Sequence, residues 1–315
     1  MKNKVMISGS VAYDTIMVFD GHFKDHILPE QTHMINVAFL TPRLKREFGG
    51  CAANIAFNLQ GLGGAPMVLA AVGRDGADYV DRLRGFGIDC SRIVRLDDHY
   101  TAQAFITTDL ADNQITAFHP GAMSLAEQAS AQAEAGTVSW AIVAPNGKAA
   151  MISHAGEWSR QSIPFIFDPG QGLPMFDGEE LRRLISQARA VVVNDYEAHM
   201  LCERTGWSEA QMAERLESLI VTRGAEGSVL HHAGQTHSIG PAAVARAVDP
   251  TGCGDAYRGG LLYGLTQGWD WLASARLGSV MGAIKIEHAG AQNHPVDRDQ
   301  VALRYRSAYG ARPWP

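Results

Sequence analysis

The stretch DPTGCGDAYRGGLLYGL, residues 249–265, gathers the residue types that phosphate chemistry needs. Gly252 and Gly254 flank Cys253 between a β-type run (Ala242–Val248) and an apolar helix, with Asp255 just inside that helix. Glycine lets backbone N–H groups approach a ligand, and a helix N-terminus adds unpaired N–H groups and the positive end of a dipole. Such a mouth attracts phosphate, which a carboxylate would repel. The conflict disappears if Asp255 faces a hydroxyl that must lose its proton while the amides of Gly252, Cys253 and Gly254 hold the phosphoryl group in transfer. The implied chemistry is phosphoryl transfer to a small molecule. A plain Gly-rich strand-to-helix turn is the competing account, since the dipole alone favours Asp in a first helical turn.

Three other patterns agree with this chemistry. In GGCAANIAFNLQGLG (49–63), Gly49 and Gly50 precede a helix carrying Asn54 in its first turns. The glycines allow close approach of main chain, and Asn54 both donates to and accepts from vicinal hydroxyls. A glycine-capped helix packed on a sheet gives the same string. At the end of the apolar run AVVVN, Asn194 and Glu197 stand three apart, on one side of an incipient helical turn. Oxygen donors of this kind suit Mg²⁺, which is commonly held through waters and phosphate oxygens; capping of the next helix explains the pattern equally well. Thr222-Arg223-Gly224-Ala225-Glu226-Gly227 sets a hydroxyl, a cation and two glycines at a strand's carboxyl end, suited to nucleotide phosphates or simply to a tight hairpin turn.

Other candidates carry less. His231, His232 and His237 lie in a polar hairpin, where solvation is a simpler account than metal binding. Cys253, at a helix start, is open to a lowered thiol pKa, with its backbone N–H the expected contribution. The Walker-type GxxxxGK[ST], the protein-kinase HRD and DFG sets, HExxH and GxSxG are all missing from the sequence, so phosphate handling uses a different loop.

These residues need a scaffold, and the chain supplies strand-length apolar runs alternating with amphipathic stretches. Strands are expected at Val5–Ser8, Met67–Val72, Trp140–Ala144, Phe165–Asp168, Ala190–Asn194 and Leu219–Thr222. Helices are expected at Cys51–Leu62, Asp78–Phe86, Leu125–Ala135, Gly178–Gln187, Tyr196–Thr205 and Ser208–Glu217. Alternation of this kind predicts an α/β fold: a mostly parallel central sheet with helices on both faces, and ligands at the strands' carboxyl ends. A hairpin (Ser228–Ile239, turning at His232–Gln235) and helices at Gly254–Gln267, Trp271–His288 and Arg298–Tyr309 complete the chain. Residues 11–48 and 93–119 break the alternation; the latter reads as a hairpin, Tyr100–Thr108 and Gln114–Phe118, around Asp109–Asn113. Together they suggest a small β lid within one domain spanning 1–315, or an edge extension of the main sheet.

With 315 residues the chain has room for one large domain plus such an appendage. A net charge of −6 without blocks of like charge argues against nucleic-acid or membrane binding through a basic patch. No signal-peptide pattern opens the sequence, and no apolar run reaches the roughly 18 residues that a membrane span needs. Cys51, Cys90, Cys202 and Cys253 show no CxxC spacing, which fits free thiols in a cytoplasmic protein.

With those motifs in view, the chain resembles the ribokinase-like (PfkB) family of sugar and nucleoside kinases, from GSVAYD near the N-terminus to HAGAQ near residue 290. The segments YTAQAFITTD, ITAFHPGAM, VNDYEAHML, TGWSEA and DPTGCGDAYRGG are similar to the bacterial adenosine kinase branch. The resemblance implies a ribokinase-like fold and a reaction that moves the γ-phosphoryl of MgATP to the 5′-hydroxyl of a nucleoside, with adenosine foremost. It implies Asp255 as catalytic base, with the amides of Gly252, Cys253 and Gly254 as anion hole. Asp14, helped by Gly49, Gly50 and Asn54, would bind ribose hydroxyls, and Phe105 and Phe118 on the lid would contact the base. Asn194 and Glu197 match the Asn-x-x-Glu motif tied to magnesium and phosphate; Thr222, Gly224 and Gly227 match the ATP-phosphate turn. The adenine of ATP is expected near Ala289–Asn293, including Gly290. Pro250 replaces the Thr of many sugar kinases, and Cys253 a common Ala or Val; neither removes a catalytic group. A monovalent cation such as K⁺ stays open as a further cofactor, as does a monomer against a homodimer joined through the lid. The alternative acceptor is a free sugar such as ribose or fructose, against which lid aromatics weigh modestly. A non-catalytic sensor of the same fold would have no need of Asp255.

Overall fold

Along the central strands, successive side chains alternate between two separate hydrophobic cores, as a pleated sheet buried on both faces requires. The computed structural model describes residues 4–26, 37–111 and 113–310. The chain runs β1 (Lys4–Ser8), β2 (Ala12–Val18), β3 (Arg43–Gly49), α1 (Cys51–Gly61), β4 (Pro66–Gly73), α2 (Ala77–Gly85) and β5 (Asp89–Leu96). It continues through β6 (Ala102–Thr108), β7 (Gln114–His119), β8 (Val138–Val143), α3 (Lys148–Arg160), β9 (Phe165–Phe167), α4 (Gly178–Gln187), β10 (Ala190–Asn194) and α5 (Asp195–Thr205). Then follow α6 (Glu209–Ala213), β11 (Ser218–Thr222), β12 (Ser228–His232), β13 (Gln235–Ile239), α7 (Cys253–Thr266), α8 (Trp271–Ile286) and α9 (Arg298–Tyr309).

Among the described residues the main sheet has nine strands in the order β13-β12-β11-β10-β9-β8-β1-β4-β5, parallel from β11 to β5, with β12 and β13 added antiparallel. Val5, Ile7, Val68, Ile142, Val192 and Ile220 pack with α1, α2, α7, α8 and α9 on one face. Met6, Leu69, Val143, Val191, Val193 and Leu219 pack with α3 to α6 on the other. A second sheet, ordered β3-β2-β6-β7, is built from the segments expected to make a lid. Part of the expected lid segment 11–48, residues 27–36, and Asp112 in the lid turn lie outside the described residues.

Four details depart from expectation. Ala242–Val248 forms no strand; it is an irregular segment, and its consequences appear at the site. Residues 93–96 belong to β5, paired with β4 in the main sheet, so this part of the lid begins at β6. The expected helix Leu125–Ala135 is instead a short 3₁₀ stretch, Gly121–Gln128, followed by extended chain in which Ala129 and Ala131 are buried and Ser130 and Gln132 exposed. Tertiary contacts override alanine's helix propensity here: His154 Nε2 bonds Ala129 O at 2.9 Å and Trp158 Nε1 donates to Ala131 O at 3.1 Å. Both side chains come from α3, a helix the sequence pattern did not suggest. Its buried face (Ala150, Met151, His154, Ala155, Trp158) is built from small and polar residues that blur the apolar period.

Candidate active site

The α7 helix starts without a side-chain cap. Its N-cap, Gly252, has φ 79°, a left-handed conformation that glycine adopts readily, and a Cβ there would lie 2.8 Å from that of Ala291. Thr251 N donates to Asp249 Oδ1 at 2.8 Å, and Cys253 N donates to Pro250 O at 3.1 Å, closing the turn. The amides of Gly252, Gly254 and Asp255 find no acceptor among the described residues. Of the three amides expected to form the anion hole, two are therefore free, the Cys253 amide serves the turn, and that of Asp255 joins the free set. Burial pushes the Cys253 thiol up to about 11, the reverse of the lowering a helix start suggests, because desolvation outweighs the nearby Lys285 charge.

Asp255 is half-buried, and its Oδ2 accepts from Asn54 Nδ2 at 2.8 Å. Burial raises its carboxyl to about 7; the Asn54 hydrogen bond and the Arg258 charge pull the other way. Asn54 is held by Gln292, whose Nε2 donates to Asn54 Oδ1 at 2.9 Å and to Tyr79 OH at 2.6 Å. Tyr79 OH donates in turn to Gly49 O at 2.6 Å. A continuous hydrogen-bonded chain thus runs from Asp255 to the start of the lid.

Asp14 lies at the lid end of that chain. Gly49 makes room for it: a Cβ on Gly49 would sit 2.4 Å from Asp14 Oδ2. Burial, then the charges of Glu47 and Asp249, raise Asp14 to about 6. Gly50 is the N-cap of α1, where Cys51 N donates to Ser10 Oγ and Ala52 N to Ser10 O, both at 3.0 Å. The lid register separates the two expected phenylalanines. Asp14 pairs with Ala104, and Ala104 with Phe118, so Asp14 and Phe118 share a face. Phe105, one residue along from Ala104 and paired with Ala117, points to the opposite face, where it lines a groove with Gln103 and His119 that Phe118 also borders at the lid edge. The alternation of a strand turns the two rings to opposite faces, although both border this one groove.

Behind Asp255, Arg258 is buried, and its Nε and Nη2 donate to the two Asp168 oxygens at 2.7 and 2.9 Å. Two further protons reach Val192 O at 3.1 Å and Gly254 O at 3.2 Å. Asn194 and Glu197 form a reciprocal capping box on α5, with both bonds at 2.8 Å. The structural account of this motif is therefore realised, and it leaves Glu197 Oε1 without a hydrogen bond among the described residues. Burial first, then Asp168, raises the Glu197 carboxyl above its usual range.

Thr222, Gly224 and Gly227 line a cavity of about 360 Å³ together with Ala242, Val244, Ala283, Ile286, Tyr257, Cys253 and Gly254. The segment expected to be a strand is thus a wall of this cavity. Apolar walls beside a glycine-rich turn suit a flat base and its phosphates. Ala289–Asn293 is not part of that lining: Gly290 N donates to Asp249 Oδ2 at 2.8 Å, and Gln292 belongs to the Asn54 chain. Tyr79, Asp168, Arg258, Lys285 and Gln292 were not singled out from sequence; only Gln292, inside the HAGAQ string, and Arg258, inside DPTGCGDAYRGG, carried a signal.

A doubly covered parallel sheet whose free helix amides and neighbouring carboxylate adjoin a base-sized cavity defines an α/β phosphotransferase acting on a hydroxyl group. Residues 3–298 match the pfkB family of carbohydrate kinases, and the chain belongs to that family. It is 30% identical to a nucleoside kinase of Methanothermobacter thermautotrophicus over 310 residues, covering 97% of this chain and 96% of that one. The nucleoside kinase of Burkholderia thailandensis, solved in complex with inosine, matches with a TM-score of 0.88 at 48% identity, covering 98% of this chain and 99% of that one. The same enzyme solved with ADP-inosine matches with a TM-score of 0.86 at 49% identity, covering 98% and 97%.

Proposed function

We propose that the protein transfers the γ-phosphoryl group of ATP to the 5′-hydroxyl of a purine nucleoside, adenosine foremost. The observation that carries this reading is Asp255, hydrogen-bonded to Asn54 in the first turn of a helix whose free amides include that of Gly254, a lining residue of the cavity edged by Thr222, Gly224 and Gly227. Its support from kinship is that the relatives above are nucleoside kinases, one of them solved with inosine.

Asp14, Asn54 and the Gly49–Gly50 main chain hold the ribose, and Phe118 flanks the base from the lid. The adenine of ATP lies against Ala242, Val244 and Ala283, with its phosphates on the Thr222–Gly227 turn and the α7 amides. Asp255 orients the acceptor hydroxyl. As the new O–P bond forms and the bond to the ADP oxygen breaks, it takes the hydroxyl proton. Such transition states are loose, so positioning and charge stabilisation supply most of the rate. The amides of Gly252, Gly254 and Asp255 stabilise the transferred oxygens without reorganising. Glu197, with one carboxylate oxygen free, is the residue suited to hold Mg²⁺ through water; the metal would neutralise charge on the ATP phosphates. The cytoplasm suits this chemistry and keeps the four unpaired cysteines reduced. No helix among the described residues is long and apolar enough to cross a membrane. A homodimer would join along β7, the lid edge whose six residues are all exposed.

The test is ADP release from MgATP with adenosine, inosine, guanosine, cytidine, ribose and fructose in parallel. Purine nucleosides are expected to give the highest kcat/KM. Preference for a free sugar would transfer the reading to the carbohydrate branch of the family.

A further inference from the structure

Lys285 occupies the last turn of α8, and none of its side chain reaches solvent. A buried ammonium is costly unless its protons find acceptors. Its Nζ donates to Asp249 O at 2.7 Å and His288 O at 3.0 Å, and lies 4.0 Å from Asp249 Oδ2. The Asp249 carboxylate accepts from the amides of Thr251 and Gly290, each at 2.8 Å, while Val248 N and Asp249 N both donate to Ile286 O. One enclosed cation therefore ties the residues just before the α7 mouth to the end of α8 and to the 288–290 loop. Burial lowers the lysine's pKa, and the Asp249 charge opposes that shift. Two inward carbonyls and a carboxylate around a single ammonium also match the ligand set that a weakly hydrated monovalent cation takes.

We propose that Lys285 is a positioning residue for phosphoryl transfer, a built-in monovalent cation that holds Asp249–Thr251 so that the free α7 amides face the phosphoryl group. The inference rests on the phosphotransfer reading above. With the ammonium in this cradle, turnover needs no added alkali cation.

The experiment measures ADP release with the best acceptor of the panel, in buffers free of K⁺ and NH₄⁺. Choline chloride keeps ionic strength at about 0.1 M, so that screening stays constant. The wild type should respond little to added K⁺, NH₄⁺ or methylammonium. Lys285→Ala and Lys285→Met should lose at least ~10-fold in kcat with little change in nucleoside KM, as small misplacements of a catalytic group do. In Lys285→Ala, NH₄⁺ or methylammonium should restore a large part of that loss by occupying the vacated cradle; Lys285→Met, whose side chain fills it, should not respond. The shift that MgATP gives to the melting temperature of Lys285→Ala should recover with NH₄⁺ as well, a readout independent of the acceptor. Strong stimulation of the wild type by K⁺, wild-type turnover in Lys285→Met, or a folded Lys285→Ala that no cation rescues would each overturn the proposal. An inactive wild type across the whole acceptor panel would instead count against the phosphotransfer reading.

Discussion

Two helices of this protein begin with paired or near-paired glycines, and they use their N-termini in opposite ways. At α1, Ser10 takes the amides of Cys51 and Ala52 on its side-chain and main-chain oxygens, and Asn54 N returns to Gly50 O. In the first turn of α7 the Cys253 and Ala256 amides are satisfied, while those of Gly252, Gly254 and Asp255 find no acceptor among the described residues. Both ends carry the same dipole. The difference is whether another strand turn brings an oxygen to the mouth. At α1 it does, so that helix holds Asn54 still; at α7 it does not, so that helix receives a ligand.

The contrast can be broken most severely at Asp255. Asp255→Asn should retain nucleoside binding, measured by calorimetry, and lose at least ~10² in turnover, the usual range for general-base loss. Near-normal turnover would remove the base from the scheme. Gly252→Ala strains a left-handed residue and drives a Cβ toward Ala291. Displacing the free amides in this way should reduce kcat by about 10², as loss of an oxyanion donor does elsewhere.

A third measurement sharpens the comparison through pH. Asp255 is raised to about 7 and Asp14 to about 6, so both gain protons as the pH falls through those values. The acceptor kcat/KM should climb with pH, level off above about 7, drop about tenfold per unit between about 7 and 6, and fall more steeply below about 6, where Asp14 protonates as well. A profile flat down to pH 5 would contradict the buried base. Smallest of all, Ser10→Ala leaves the Cys51 amide without its side-chain partner and should lower stability by about 1 kcal/mol. Chemical denaturation would register that change, while kcat and the ATP KM stay put; a large kcat loss would mean that the two helix mouths are not independent.

Much of the architecture was legible because its causes are local. The runs Val5–Ser8, Ala190–Asn194 and Leu219–Thr222 are short, apolar and β-branched, and all three are central strands. Capping boxes and glycine C-caps likewise made α4, α5 and α9 readable to within a residue or so. Failures came where distant chain decided the outcome. Residues 125–135 have a helical composition, yet their backbone answers to His154 and Trp158; Ala242–Val248 has strand composition, yet it walls a cavity. Phe105 and Phe118 look equivalent in sequence, and only the register shows them on opposite faces.

What the amino-acid sequence determined by itself, then, is the alternation of strands and helices, the glycine turn before α7 and the presence of a carboxylate within it. Each follows from backbone propensity and side-chain period over a few residues. What only tertiary structure decided is which polar groups are left over. Asn54 meets Asp255 from 201 residues away, and Lys285 finds the Asp249 carbonyl across 36. A free amide at a helix mouth is defined by the oxygen that does not arrive, and the arrival of an oxygen from remote chain is a property of the assembled fold.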